Sequence, residues 1–99
     1  MKIKRVENAH NDIIREIADI DGSGMIVTCS NDESVKIWSG DLEPITTLLG
    51  HTAFVFSVKA VSLGLYVSGG EDKTLKIWQE DHCVQDMQLP GSIWSICFD

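Results

Sequence analysis

Residues 68–78 of this chain read SGGEDKTLKIW, and residues 28–38 read TCSNDESVKIW. Each segment contains a hydroxyl residue, an aspartate four positions later and a tryptophan six positions after the aspartate, and a histidine precedes each segment. The residues concerned are His10, Thr28, Asp32 and Trp38 in the first copy, and His51, Ser68, Asp72 and Trp78 in the second. Two segments that share residue types at shared spacings predict one structural unit that is built twice.

The apolar residues that follow the two histidines repeat as well. Ile14 and Ile17 correspond to Val55 and Val58 at an offset of 41 residues, whereas the aspartates and tryptophans are offset by 40. A period of about 40 residues with this punctuation is typical of one four-stranded blade of a β-propeller. The predicted fold is therefore all-β, with about two antiparallel blades, a leading outer strand, a trailing inner strand and an incomplete ring.

The repeat also resolves the one ambiguous segment. The apolar spacing of residues 13–20 (IIREIADI) fits a helix as well as a strand, but the matching residues 54–61 are β-branched and aromatic and favour a strand. The other strands are predicted at residues 25–30, 34–38, 44–49, 54–60, 65–68, 74–78 and 83–89. Residues 1–9 are expected to hold an outer strand of a preceding blade, residues 10–49 and 50–89 the two repeats, and residues 90–99 the first strand of a third, over 92–98.

Composition and charge exclude several function classes. With 43% apolar and 23% charged residues, the 99-residue chain is expected to fold, and its net charge of −7 argues against nucleic-acid and membrane partners. The basic residues at the amino terminus precede no apolar run, so no signal peptide is expected. No cofactor or metal is implied, because no phosphate-binding loop or metal motif occurs.

Cysteine usage indicates a reducing compartment. Cys29, Cys83 and Cys97 form an odd set without a CxxC pair, so we expect structural thiols and a location in the cytoplasm or the nucleus. His82 precedes Cys83 directly, but neighbours in a strand point to opposite faces. A cysteine hydrolase is accordingly the least favoured function, and the chain is not expected to be an enzyme.

The histidine, hydroxyl, aspartate and tryptophan pattern resembles the WD40 repeat, although the residues after the tryptophans are Ser39 and Gln79. The resemblance implies that the four side chains of each copy form a hydrogen-bonded set inside its blade. A buried indole N–H and a buried carboxylate both need partners, which the histidine and the hydroxyl can supply. These eight residues are therefore expected to be structural.

A narrower resemblance covers almost the whole chain. The runs CSNDESVKIW, GHTAFVFSVKAV, GEDKTLKIW and QLPGSIWSICFD resemble consecutive middle blades of the phospholipase A-2-activating protein family, and the last is the most specific, with Leu89-Pro90 in place of Gly-His. The resemblance implies a propeller that binds ubiquitin or ubiquitylated proteins in ubiquitin-dependent turnover. The alternative is a scaffold whose blades bind another peptide or only complete a ring.

Candidate contact residues lie where propellers bind partners, in the connectors before first strands and in the turns between second and third strands. They are Asn11, Ile13, Arg15, Asn31, Glu33, Phe54, Phe56, Glu71, Lys73 and Trp94. Aromatic or arginine anchors among polar residues are typical of interface hot spots, but Phe56 and Trp94 could equally fill the packing between blades. Because two blades cannot close a ring, the remaining partners are expected to be blades of a longer chain or other copies of this one.

Overall fold

The computed structural model describes residues 10, 12–20, 23–62 and 64–96. Within these residues the chain forms eight strands and no helix. The strands are β1 (Ile14–Asp19), β2 (Ile26–Ser30), β3 (Ser34–Trp38), β4 (Pro44–Leu49), β5 (Val55–Ser62), β6 (Leu65–Gly70), β7 (Thr74–Gln79) and β8 (His82–Gln88). They make two four-stranded antiparallel sheets, β1-β2-β3-β4 and β5-β6-β7-β8. The predicted all-β fold with two blades is confirmed.

The middle strands of each blade are more buried than its last strand. Every residue of β2 after Ile26 is buried, whereas every residue of β8 is exposed. The outer strand β4 begins with Pro44, which has no N–H to donate to a ladder and is tolerated at a sheet edge. Each blade therefore hides its middle strands and leaves its last strand against solvent.

Equivalent turns join the second and third strands of the two blades. Asp32 Oδ1 accepts the N–H of Ser34 at 3.0 Å, and Asp72 Oδ1 accepts the N–H of Thr74 at 3.1 Å. Glu33 and Lys73 adopt positive φ values of 74° and 64°. The two turns therefore have the same structure, in which the aspartate of the repeat accepts a hydrogen bond from the first residue of the third strand.

The two blades pack through β5, which lies against β1 and β2. Val55 and Val58 are fully buried there and join the core cluster. Glu16 of β1 accepts three hydrogen bonds through Oε1, from the Ser57 hydroxyl, the Val58 N–H and the Lys59 ammonium, each at 3.0 Å. One carboxylate thus fixes blade 2 on blade 1 by polar contacts beside the apolar ones.

The predicted bounds hold for some strands and shift for others. β3 and β4 begin and end as predicted, and β8 lies one residue earlier than predicted. β6 extends to Gly70, so the turn that follows it contains residues 71–73 rather than 70–72. Gly70 can stay in the strand because it has no Cβ, which would lie 2.0 Å from the Phe54 carbonyl oxygen.

The trailing strand predicted over 92–98 is wrong for residues 92–96, which have no strand structure. In both blades the first strand pairs with the second strand of its own blade, and no described residue offers that pairing to 92–96. The segment still lies on blade 2, because Ile93 donates its N–H to the Gly70 carbonyl and Ile96 donates its N–H to the Ser57 hydroxyl. Residues 97–99 and the predicted strand in 1–9 lie outside the described residues.

The face of β1 opposite to blade 2 is uncovered. Ile17 is 61% exposed, while its counterpart Val58 is fully buried against blade 1. The described residues thus form an open pair of blades, as expected for an incomplete ring. No helix in the described part of the chain is long and apolar enough to span a membrane.

Candidate interaction surface

The first tetrad is a chain of hydrogen bonds across blade 1. Trp38 Nε1 donates to Thr28 Oγ1 at 3.0 Å, and Thr28 Oγ1 lies 2.7 Å from His10 Nε2. His10 Nδ1 in turn lies 2.9 Å from Asp32 Oδ2, and the His10 side chain has no exposed area. The sequence therefore brings these four side chains together, as the resemblance implies.

Blade 2 repeats the arrangement with a serine in place of the threonine. Trp78 Nε1 donates to Ser68 Oγ at 2.8 Å, Ser68 Oγ lies 2.7 Å from His51 Nε2, and His51 Nδ1 lies 2.8 Å from Asp72 Oδ2. Thr52 adds its N–H to the same Asp72 oxygen at 3.1 Å. The two tetrads are chemically equivalent.

The donors and acceptors of the second tetrad fit one protonation state. If His51 is neutral with its hydrogen on Nδ1, it donates to the Asp72 carboxylate and accepts the Ser68 hydroxyl hydrogen, while Ser68 accepts from Trp78. Burial lowers the pKa of His51 below its ordinary value and outweighs the opposing effect of Asp72. Burial acts to raise the pKa of Asp72, but hydrogen bonds from His51, Thr52 and Thr74 hold it below its ordinary value. Both shifts favour a neutral histidine beside an ionised carboxylate at neutral pH.

An exposed surface lies at the end of the sheets that carries the β2–β3 and β6–β7 turns, which we call the front end. The front surface consists of Ile13, Arg15, Phe54, Phe56 and Trp94. Phe56 and Trp94 stack with their ring centroids 4.3 Å apart and their planes 4° from parallel, and Phe54 meets Phe56 edge-on at 6.3 Å. The Arg15 guanidinium carbon lies 5.3 Å from the centroid of the Phe56 ring. Equivalent positions in three successive repeats thus form one continuous column.

Exposure separates the members of the front surface. Phe56 is 8% exposed, whereas Trp94 is 70% and Ile13 60% exposed. Phe56 is therefore the packed centre of the column, and Trp94 presents its indole to solvent. An amphipathic ring supported from behind by another ring is a preorganised contact for a partner.

The remaining candidates divide into anchoring and exposed residues. Asn31 is buried and accepts the Arg15 Nε–H at 2.6 Å, which orients the guanidinium toward Phe56. Glu33, Glu71 and Lys73 are exposed in the two turns at the rim of the front surface. Asn11 lies outside the described residues.

Sequence reasoning missed two features that depend on how the blades meet. Glu16 was not singled out, although its carboxylate holds Ser57, Val58 and Lys59 of the next blade. A cleft between the blades at the end opposite to the front end was also missed, because its walls come from both repeats. The offset of 41 that aligns Glu16 with Ser57 could have suggested an equivalent role, since Ser57 accepts from the third repeat as Glu16 accepts from the second.

The described cysteines lack the features of a nucleophile. Burial, assisted by the charge of Glu16, raises the pKa of the Cys29 thiol to about 12. Cys83 lies exposed at the start of the outer strand β8, and partial burial of its sulfur together with the Asp86 acceptor raises the pKa of its thiol. A catalytic thiol needs a lowered pKa, so neither supports hydrolysis. Among the described residues, no three His, Cys, Asp or Glu side chains are grouped to hold a metal ion.

Known proteins share this arrangement. The WD40 family, described as "WD domain, G-beta repeat", matches residues 1–39 and 42–79. The chain is 41% identical over 90 residues to "Ubiquitin homeostasis protein lub1" of Schizosaccharomyces pombe. The matched region covers 89% of this chain and 12% of that protein. It is also 33% identical over 81 residues to "Phospholipase A-2-activating protein" of Xenopus laevis. That match covers 80% of this chain and 10% of the relative.

A solved structure agrees with these sequences. The "Crystal structure of WD40 beta propeller domain of Doa1" superposes with a TM-score of 0.80 at 37% identity, and the match covers 88% of this chain and 30% of that one. The chain thus spans a small part of the length of each of these relatives, and the resemblance to the phospholipase A-2-activating protein family is confirmed. Two equivalent tetrads, two antiparallel blades and these matches lead to one conclusion: the chain belongs to the WD40 family.

Proposed function

We propose that this chain is a protein-interaction module whose front surface recognises ubiquitin, or a ubiquitylated protein, in ubiquitin-dependent protein turnover in the cytoplasm or nucleus. The observation that carries the proposal is the column in which the exposed Trp94 stacks on Phe56 and Arg15 lies over the same ring. The similarity to a ubiquitin homeostasis protein supports ubiquitin as the partner.

The chemistry of the front surface suits recognition without catalysis. Ile13, Phe54 and Trp94 offer exposed apolar area, and the acidic side chains of Glu33 and Glu71 lie in the turns at its rim. Hot spots of this kind bury an aromatic anchor inside a ring of polar contacts. The net charge of −7 favours a partner surface that is basic around its apolar centre.

The direct test is a titration of isotope-labelled ubiquitin with this chain, followed by NMR. We expect shifts that saturate, and we expect Trp94→Ala to weaken binding at least tenfold while the melting temperature stays within a degree or two, because an indole that is 70% exposed adds little to folding. Leu49→Ala is the matched control, since Leu49 is 72% exposed on the outer strand β4. Absence of shifts at about millimolar concentration, the weak limit of specific recognition, would count against ubiquitin as the partner.

A scaffold role is the second candidate, and the burial of Phe56 favours it. Phe56 is 8% exposed and contacts Phe54, Arg15 and Trp94, so its ring fills space at the junction of blades. If the column serves packing alone, Phe56→Ala and Trp94→Ala lower stability together and neither has a separate effect on binding. A stable Trp94→Ala variant with lost ubiquitin binding distinguishes the two functions.

A further inference from the structure

We propose that the cleft between the two blades, at the end opposite to the front end, is a second docking site. Its ligand is a peptide segment of another protein that carries a basic side chain next to a large apolar one. The proposal is independent of ubiquitin recognition, because the cleft shares no residue with the front surface.

The walls of the cleft come from both blades. Its volume is about 530 Å³, and its apolar lining is Met25, Ile37, Ile45 and Tyr66, while Glu80 and Asp81 supply the acidic side. This volume falls within the range of pockets that hold small ligands or a few side chains. Ile45 is 52% exposed, so part of this apolar lining faces solvent with no protein group over it in the described part of the chain.

Glu80 is held at the cleft by its backbone and by a glycine. It adopts a φ of 57° in the β7–β8 turn and donates its N–H to the Gly64 carbonyl at 2.7 Å. A Cβ on Gly64 would lie 2.6 Å from Glu80 Oε1, so the missing side chain leaves room for the carboxylate. The backbone of Glu80 is therefore fixed by the turn, and its carboxylate lies over Gly64.

All charged side chains that line the cleft are acidic. No lysine or arginine lines it, and Glu80 has no salt bridge within the part of the chain that the structure describes. Asp81 Oδ1 lies 3.2 Å from Nε2 of His82, whose side chain is itself exposed. Two carboxylates next to an apolar wall attract a cation whose neighbour is apolar, so the occupant is a basic and hydrophobic peptide.

Tyr66 adds a polar contact inside the cleft. It is 4% exposed, and its hydroxyl oxygen accepts the Gly64 N–H at 3.2 Å. Its own hydrogen meets no acceptor among the residues described. A peptide carbonyl that enters the cleft can accept this hydrogen, which gives an extended peptide one oriented hydrogen bond beside its two side-chain contacts.

The experiment is an NMR titration of the isotope-labelled chain with three blocked tetrapeptides that contain an Arg-Leu, an Arg-Ala or a Glu-Leu pair. We expect Arg-Leu to shift the amides of Tyr66, Glu80 and Asp81 and to leave Trp94 unchanged. The other two peptides should bind at least threefold more weakly, because each lacks one of the two side chains. The variant Glu80→Gln/Asp81→Asn should weaken Arg-Leu binding roughly three- to tenfold, the loss of two partly exposed ion pairs.

The control is Glu33→Gln/Glu71→Gln, which removes the same charge at the front end and should leave Arg-Leu binding unchanged. The proposal is overturned if no cleft amide shifts, if the Glu-Leu peptide binds as well as Arg-Leu, or if both double variants weaken binding equally. The last result would mean that the net charge alone attracts the peptide. Ubiquitin binding measured on the same samples reports separately on the front surface.

Discussion

At the scale of single residues, the hydroxyl at the centre of each tetrad has two partners to satisfy. Ser68 Oγ is bonded to both Trp78 Nε1 and His51 Nε2, and all three residues are buried. We predict that Ser68→Ala lowers the free energy of unfolding by about 2–4 kcal/mol, because it leaves two buried polar groups unpaired. Denaturant unfolding measures this, with the exposed Ser62→Ala on β5 as control. Equal stability of the two variants would show that the hydrogen bonds of the Ser68 hydroxyl do not stabilise the fold.

The second tetrad also predicts how stability depends on pH. Burial lowers the pKa of His51, so the unfolded chain binds the proton more tightly, and stability falls as the pH drops below the ordinary histidine value of 6.5. The pKa of Asp72 is lowered as well, so its contribution is present above 3.8 and is lost as the pH falls through the folded-state value. The melting temperature should therefore change little from pH 7.5 to about 6.5 and decrease below pH 6.5 because of His51, and the loss of the Asp72 contribution should add to the decrease only below pH 3.8.

NMR of the imidazole nitrogens checks the cause of that decrease. At pH 6.5 we expect His51 to be mostly neutral with its hydrogen on Nδ1, since Asp72 accepts at that nitrogen. A His51 ring that is mainly protonated at this pH, or that carries its hydrogen on Nε2, contradicts the assigned state.

At the scale of strands, the two adjacent glycines at the end of β6 face different neighbours. Gly70 lies against backbone atoms, which cannot move aside, and Gly69 lies against a side chain, which can. A Cβ on Gly70 would meet backbone, 2.0 Å from the Phe54 oxygen, whereas a Cβ on Gly69 would meet the Ile93 side chain at 2.7 Å. We predict that Gly70→Ala destabilises the chain by about 1–3 kcal/mol or more. Gly69→Ala should cost less and should release residues 92–96, which form no ladder.

Hydrogen exchange and denaturant unfolding of both glycine variants test this contrast. Gly69→Ala should speed exchange of the Ile93 amide, which donates to the Gly70 carbonyl at 2.9 Å, without loosening β5. If Gly69→Ala is the more damaging change, the 92–96 segment is a firmer part of blade 2 than its lack of strand structure indicates.

At the scale of the whole molecule, equivalent residues of the two blades have opposite surroundings. Ile17 and Val58 occupy the same position in the repeat, yet Ile17 is 61% exposed and Val58 is fully buried. We predict that Ile17→Lys keeps the melting temperature within a few degrees and reduces self-association, because it breaks an exposed apolar face. Val58→Lys should unfold the chain, because it buries an unpaired charge. Sedimentation measures self-association, and thermal unfolding measures the stability of both variants. If Ile17→Lys unfolds the chain as Val58→Lys does, the face of β1 that carries Ile17 is not exposed.

The sequence predicted features set by local pattern and missed those set by contact between repeats. The strands β3 and β4 follow from alternation within one repeat, and both tetrads were expected from the resemblance of the spaced residues to the WD40 repeat. The lack of strand structure in residues 92–96 does not, since a strand needs a neighbour that local pattern cannot supply. Trp94 stacks on Phe56 where two repeats meet, and the equivalence of these positions in the repeat suggested that contact. The cleft that contains Glu80 also lies between two blades, and no pattern within one repeat indicates it.

The central claim is that Trp94 at the front end is the point of contact with ubiquitin, and site-specific photo-crosslinking tests it most directly. A photoreactive benzoylphenylalanine replaces Trp94 in one sample and Val84, 54% exposed on the outer strand β8, in another. We predict that ubiquitin is captured from position 94 and not from position 84. Capture from both positions alike, or from neither, would contradict the claim.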